Sequence, residues 1–195
     1  MTVVEDRIKM ADENTRTLDA MFEAFEGLPI LEGMKIEVVE GCVHMTPQRS
    51  TRWETIWCIV SQLSADPPRR RVFSDVRIDY PGHLNGLCSD VALLVEDAET
   101  DSEDRWRCED VEFVAEVISR GTAENDYGPK RTAYATAGVA VYLIADPYEG
   151  KVRVYTRPED GAYTEEWPPI AYGDDVDLTA TPLGLTLTTA RFPRD

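Results

Sequence analysis

Two acidic residues stand in segments that otherwise read as apolar strands. Asp90 is near the start of "SDVALLV" (89–95), and Glu116 lies within "VEFVAEVIS" (111–119). Burying a carboxylate costs several kcal/mol or more unless it is paired or ligated, so each demands a partner. Side chains alternate along a strand, which puts Glu116 on one face with Val114 and Ile118, and Asp90 on one face with Ala92 and Leu94. If the two strands are neighbours, the carboxylates converge near one end of a sheet. Two carboxylates, water and a carbonyl oxygen such as that of Val117 make the all-oxygen site that Mg²⁺ or Mn²⁺ prefers. An ion held there generates hydroxide and offsets the charge that builds on a phosphoryl group.

A cation follows closely in the chain. Lys130 falls near the N-terminal end of the helix after Glu116, where it can point back over the strand tips. A lysine in that place holds an attacking water or offsets phosphate charge as a compact point charge. Asp126 and Tyr134 stand four residues to either side of Lys130 and share its helical face, so the three form a set that can meet a substrate. The helix N-terminus itself favours an anion. Each residue also has a plainer reading: Glu116 as a paired strand residue, Asp90 as a turn cap, Lys130 as a surface lysine, Tyr134 as helix–sheet packing. It is the ordered set that favours chemistry.

These residues need elements to position them. Residues 1–13 lack a core face and read as a loose tail, and Leu18, Met21, Phe22 and Phe25 give helical spacing from Asn14 to Glu26. "MKIEVVEGCVHMTP" reads as a hairpin turning at Glu40-Gly41. A helix runs from about Ser50 to Leu63, with Ile56, Trp57, Val60 and Leu63 inward, and "DPP" at 66–68 ends it. Trp53 and Trp57, four apart, read as core residues. "RVFSDVRIDY" (71–80) reads as one alternating strand, with "RRR" (69–71) and Arg77 as a basic turn that balances charge or touches phosphate. The segment 96–110 carries eight acidic and two basic residues, net −6, and reads as an exposed loop. Residues 124–138 read as a helix closed by Gly138. Strands over 139–147, 151–158 and 162–167 make a meander, and Leu183, Leu185 and Leu187 mark a closing strand. The strand–helix–strand unit over 111–145 implies a parallel crossover, and the hairpins on either side are antiparallel. The predicted class is α/β (α+β), a mixed β-sheet flanked by helices, in a single domain over 1–195.

Composition narrows the function classes. No apolar run is long enough to span a bilayer, and the charged N-terminus is unlike a signal peptide, which predicts a cytoplasmic protein without a membrane. Cys42, Cys58, Cys88 and Cys108 are widely spaced and read as reduced thiols, and with His44 and His83 as the sole histidines a Cys/His zinc site is disfavoured. The net charge of −17 argues against a general nucleic-acid-binding surface but leaves a local patch open. There is no nucleophile-elbow serine and no phosphate-cradling glycine loop.

The order "IEVVEG", "SDVALLV", "EFVAEVIS", "ENDYGPKRTAYATAGV", "VYLIADP", "VRVY" resembles the Uma-two family of endonucleases over roughly residues 18–190. That family is grouped with the PD-(D/E)xK restriction-endonuclease-like fold. Its "PD" strand is matched by Ser89-Asp90 and its "E-V/I-L-S" strand by Glu116 to Ser119. Its "D-x-x-x-K-x-x-x-Y-x-x-x-G-V" helix is matched by Asp126, Lys130, Tyr134, Gly138 and Val139. The lysine that the parent motif carries two residues after its acid is displaced to the helix, and Ile118 fills the strand position. The early "Y-E-L-I-D-G-E" strand is matched by "IEVVEGC", which makes Glu37 the additional acid; the bland reading of Glu37 is a residue on the solvated face of a hairpin. The chain departs from the family at Ser89 in place of proline, at "SRGT" (119–122) in place of "S-P-S-T", at Trp53 in place of a histidine, and at Pro129 directly before Lys130.

The resemblance implies a Mg²⁺- or Mn²⁺-dependent nuclease acting on nucleic acid, DNA first. Asp90, Glu116 and the Val117 carbonyl would bind the ion, Lys130 would orient the water, and Glu37 would bind a second ion or polarise water from the opposite side. Nuclease folds of this kind often pair to act on both strands, which makes a homodimer an expectation. The competing expectation is a catalytically silent nuclease fold that serves as a protein-interaction module, motivated by the acidic 96–110 loop and the −17 charge.

Overall fold

The computed structural model describes residues 3–26, 28, 33–47, 49–65 and 71–195, with the side chains of α1 described over 13–25. Helix α1 (Val3–Glu26) starts eleven residues before Asn14, so the segment expected as a tail is helical from Val3. Its charged residues hid it from a reading based on apolar spacing, although Glu, Lys, Met and Ala are all good helix formers. Strands β1 (Met34–Val39) and β2 (Cys42–Pro47) form the expected hairpin. Glu40 and Gly41 both take positive φ, 49° and 76°, the two-residue turn whose twist matches paired strands.

β1 and β2 belong to a four-stranded antiparallel sheet, order β2-β1-β5-β4, with β4 at Arg77–Tyr80 and β5 at Asn85–Cys88. Helix α1 lies on β5 at Gly86, where a Cβ would come within 2.8 Å of the Phe22 ring and 3.2 Å of Leu18. The larger sheet runs β10-β9-β8-β7-β6-β3. Its strands are β3 (Arg71–Phe73), β6 (Val91–Leu94), β7 (Val111–Val117), β8 (Val141–Asp146), β9 (Lys151–Glu159) and β10 (Ala162–Glu166). β7 and β8 pair in parallel, and the other neighbours along that path are antiparallel, as the predicted crossover and meander require. The short β11 (Ile170–Ala171) also pairs antiparallel with β9, and the expected closing strand is β13 (Thr186–Thr188), paired with β12 (Asp175–Asp177).

β7 is buried on both faces. Phe113, Ala115 and Val117 pack with Ile56, Ile59 and Leu63 of α2 (Ser50–Ala65) in one core. Val114 and Ile118 pack with Tyr134, Tyr142 and Ile144, and with Val39, Ile78 and Leu87 of the smaller sheet, in a second core. Glu116 shares the face of Val114 and Ile118, so it points into the second core.

Three local expectations are corrected. "RVFSDVRIDY" is two strands in different sheets: Asp75 takes φ 57°, and the chain leaves the larger sheet there for the smaller. The helix after Glu116 is two helices, α3 (Ala123–Tyr127) and α4 (Pro129–Ala137), broken at Gly128. A residue before proline is pushed out of the helical region, while Pro129 itself suits the first helical position. Trp53 and Trp57 are 51% and 56% exposed; the face of α2 that enters the core is the one carrying Arg52, Thr55, Ile56, Ile59 and Leu63. Gly138 closes α4 as expected, at φ 83°, its N–H donating to the Ala135 and Tyr134 carbonyls.

Of the basic turn, Arg71 and Arg77 are described, and Arg69 and Arg70 lie outside the described residues. The acidic loop ends in a single 3-10 turn (Cys108–Asp110) and buries Ala98 and Cys108 beneath otherwise polar residues. All four cysteines are free thiols, Cys42 exposed and Cys88 and Cys108 buried. Among the described residues no helix is long and apolar enough to cross a membrane.

Candidate active site

The register of β6 on β7 pairs Val91 with Ala115 and Ala92 with Val114. One step outward, Asp90 stands opposite Glu116, on the same face of the larger sheet. The Asp90 N–H lies 3.4 Å from Glu116 Oε2, and the Val117 N–H donates to Asp90 Oδ2 at 2.8 Å. Strand β1 brings Glu37 to this pair from the smaller sheet, with Lys35 two residues earlier on the same face. α3 and α4 bring Asp126 and Lys130. Asp90, Glu116 and Lys130 are 0–1% exposed, and Glu37 and Asp126 only slightly more.

Lys130 Nζ is the hub. It lies 2.7 Å from Glu116 Oε1, 2.9 Å from Asp126 Oδ1 and 3.1 Å from Glu37 Oε2. Burial alone would lower the Lys130 pKa, but the Asp126, Glu116 and Glu37 carboxylates raise it well above the usual lysine range. Lys130 is therefore a fixed ammonium, able to orient and to offset charge but not to accept a proton. Tyr134, fully buried, donates its hydroxyl to Glu116 Oε1 at 2.7 Å and meets Ser89 Oγ at 3.1 Å. The serine that replaces the family's proline thus anchors the tyrosine that holds Glu116. In the "SRGT" loop Ser119 and Thr122 hydroxyls bond each other at 2.6 Å.

Two cations in the cluster escaped the sequence reading. Lys35 Nζ lies 2.8 Å from Asp90 Oδ1, 3.5 Å from Glu116 Oε2 and 3.8 Å from Glu37 Oε2. Arg52, in the first turn of α2, grips Asp90 side-on, with Nε 3.1 Å from Oδ2 and Nη2 on Oδ1. Burial alone would raise the Asp90 pKa, yet Lys35 and Arg52 hold it well below the usual carboxylate range. Asp126 goes the other way: its burial outweighs the attraction of Lys130 and pushes it up to about 7. The signals for the missed residues were present. Lys35 shares a strand face with Glu37, and Arg52 occupies an apolar helix face at the spacing of Ile56, Ile59 and Leu63, the same kind of anomaly that marks Glu116. Trp53, where the family resemblance leads one to look for a histidine, points outward, while its neighbour Arg52 reaches the site.

The donor set is entirely carboxylate oxygen, the chemistry a hard divalent cation requires. Its arrangement is closed by cations: the Lys35 ammonium sits among Asp90, Glu116, Glu37 and Asp75. Among the described residues no three acidic, histidine or cysteine side chains are disposed to hold a metal ion as they stand. One buried acceptor, Glu37 Oε2, has no hydrogen bond of its own, although Lys130 is close by. The carboxylates thus fit such an ion in kind.

A mixed larger sheet, a parallel β7–β8 crossover and an acidic strand-end pair define a restriction-endonuclease-like α+β fold. The fold matches that of a protein from Anabaena variabilis ATCC 29413, described as a "putative nuclease belonging to DUF820", with a TM-score of 0.67 over 90% of this chain and 96% of that one. Sequence identity is 17%, so that likeness is one of fold. Residues 22–190 match Uma2, described as "Putative restriction endonuclease", and the chain belongs to that family. No curated protein matches it.

Proposed function

We propose that this protein is a metal-dependent nuclease that hydrolyses phosphodiester bonds of nucleic acid, DNA in the first instance, and that it works in the cytoplasm. The observation that carries the reading is the buried convergence of Asp90 and Glu116 from adjacent strands, with Lys130 Nζ 2.7 Å from Glu116. Asp90, Glu116 and the Val117 carbonyl are the residues to hold Mg²⁺ or Mn²⁺. Such an ion, when bound, supplies Lewis acidity and a hydroxide nucleophile at neutral pH. Lys130, permanently charged, orients the attacking water and offsets phosphate charge. Glu37 holds Lys130 from the far side, and Tyr134 fixes the Glu116 carboxylate through its 2.7 Å hydrogen bond. Asp126 is the third anchor of Lys130.

Lys130, Asp126 and Tyr134 are buried, so their part in substrate recognition is exerted through the charge and position of the site. Incubating plasmid, single-stranded DNA and RNA with the protein and Mn²⁺ tests the assignment. Cleavage by the wild type and its loss in the Glu116→Gln and Lys130→Met variants are expected. Equal cleavage by the variants would overturn it.

One observation favours a second reading. Asp90 is fully engaged by Lys35, Arg52 and the Val117 N–H, a network that needs no metal to be satisfied. A fold retaining these residues as a structural ion cluster would serve as a protein-interaction module. It would bind no Mn²⁺ and cleave none of the three substrates.

A further inference from the structure

Beside the carboxylates, and outside them, lies a cavity of about 420 Å³ between β2, the start of α2 and the loop after β7. Its volume falls in the range of about 300–1,000 Å³ typical of small-ligand sites. In a protein of net charge −17 its lining is locally basic: Arg49, Arg52 and Arg120 against one acidic residue, Asp195, which accepts a hydrogen bond from Thr51. Arg52 links the cavity to the site. Its Nε and Nη2 face Asp90, while Nη1, on the side of the guanidinium turned away from that carboxylate, is buried without a hydrogen-bond partner. Arg52 as a whole is 8% exposed, and an unpaired buried donor of a charged group is costly. A phosphate oxygen is the acceptor whose geometry and charge an arginine matches best.

The cavity also offers a flat face. The Arg120 guanidinium lies over the Tyr148 ring, 4.6 Å from its centroid. Both line the cavity, and stacked guanidinium and aromatic planes are surfaces on which nucleobases lie.

We infer that this cavity is a nucleotide subsite: Arg49 takes a phosphate of a nucleic-acid strand, and a base rests against Arg120 and Tyr148. Resting on the nuclease reading, this places the bound strand beside Arg52, the residue that positions Asp90.

The test measures binding without cleavage. Thymidine 5′-monophosphate and inorganic phosphate are titrated into the protein in EDTA, with wild type compared with Arg49→Ala and Arg120→Ala, both at exposed positions that leave the core intact. Saturable nucleotide binding is expected, at least tenfold tighter than phosphate, and weakened about tenfold or more by either variant. In cleavage of a short oligonucleotide, the same variants raise KM with little change in kcat. Nucleotide binding that is no tighter than phosphate, or unaltered in both variants, overturns the subsite. If the arginine-dependent binding holds while no substrate is cleaved with Mn²⁺, the subsite stands and the nuclease reading fails. If cleavage proceeds and both variants match the wild type in binding and KM, the subsite fails alone.

Discussion

Replacing Lys35 with glutamine removes the ammonium that sits among four carboxylates while keeping most of its stem. In the wild type its Nζ lies 2.8 Å from Asp90, 3.5 Å from Glu116 and 3.8 Å from both Glu37 and Asp75. Asp90 keeps Arg52 and the Val117 N–H, but Glu116 and Glu37 are left to Lys130. Removing one partner from a buried ion cluster costs about 3–5 kcal/mol, because the remaining charge stays buried and under-compensated. For a protein of 150–250 residues each kcal/mol moves Tm by roughly 2–4 °C, so the metal-free variant is expected to melt roughly 6–20 °C lower. Mn²⁺ reverses part of that loss, since the vacated seat is bounded by oxygen donors. An ion at a hundred times its Kd stabilises by about 2.7 kcal/mol, and in the wild type that gain is reduced by displacing Lys35. Thermal unfolding of both proteins, in EDTA and across a Mn²⁺ series, reads both effects. A variant as stable as wild type in EDTA, or an equal Mn²⁺-induced rise in Tm for both, would show that Lys35 neither holds the carboxylates together nor occupies a cation seat.

Further outcomes follow from single groups. Asp126 is held at about 7 in the folded protein against 3.8 for the ordinary group, so between those values the folded state keeps a proton that the unfolded chain releases. Stability therefore falls as pH rises from about 4 to about 7 and levels off above. Over about 3 pH units at 1.36 kcal/mol each, the full effect is of order 4 kcal/mol. Urea midpoints at several pH values measure it, and Asp126→Asn flattens the slope; a wild-type slope of the opposite sign would count against the burial argument. Asp90 and Glu37, whose folded pKa values are lowered, contribute stability that is lost at more acidic pH. Tyr134→Phe removes a 2.7 Å hydrogen bond to a buried carboxylate and costs about 1.5–3 kcal/mol, with a larger proportional fall in kcat than in KM. Gly138→Ala forces a side chain into φ 83° at the end of α4 and costs about 1–2 kcal/mol, read by chemical denaturation with cleavage of DNA unaffected in folded protein.

The acids were legible because a carboxylate inside an apolar strand contradicts its surroundings, and strand alternation alone places Asp90 and Glu116 on comparable faces. The register that sets them opposite each other is a tertiary fact, fixed by how β6 pairs with β7. Lys35 and Arg52 were missed for a related reason. Their partner, Asp90, is 55 and 38 residues away, and a lysine in a hairpin strand or an arginine in a helix looks like surface until the partner is seen. The tryptophans misled in the opposite direction. Hydrophobicity at i and i+4 suggests a core stripe, but α2 turns that flank outward and buries Arg52 and Thr55 instead. Asp75 broke a strand that alternation had joined, because a single positive φ redirects the chain between sheets. The broken helix was foreshadowed by Gly128-Pro129, whose backbone preferences forbid continuity.

Everything in the mechanism depends on whether Asp90 and Glu116 accept a divalent cation in place of the Lys35 ammonium. Calorimetric titration of Mn²⁺ into metal-free protein asks that question without requiring a known substrate. Saturable heat is expected with wild-type protein, and its loss in Asp90→Asn and Glu116→Gln variants that remain folded. Absence of binding heat in the wild type, together with unchanged Tm in excess Mn²⁺, would rule out the metal site and leave the closed ion cluster as a structural feature of an interaction module.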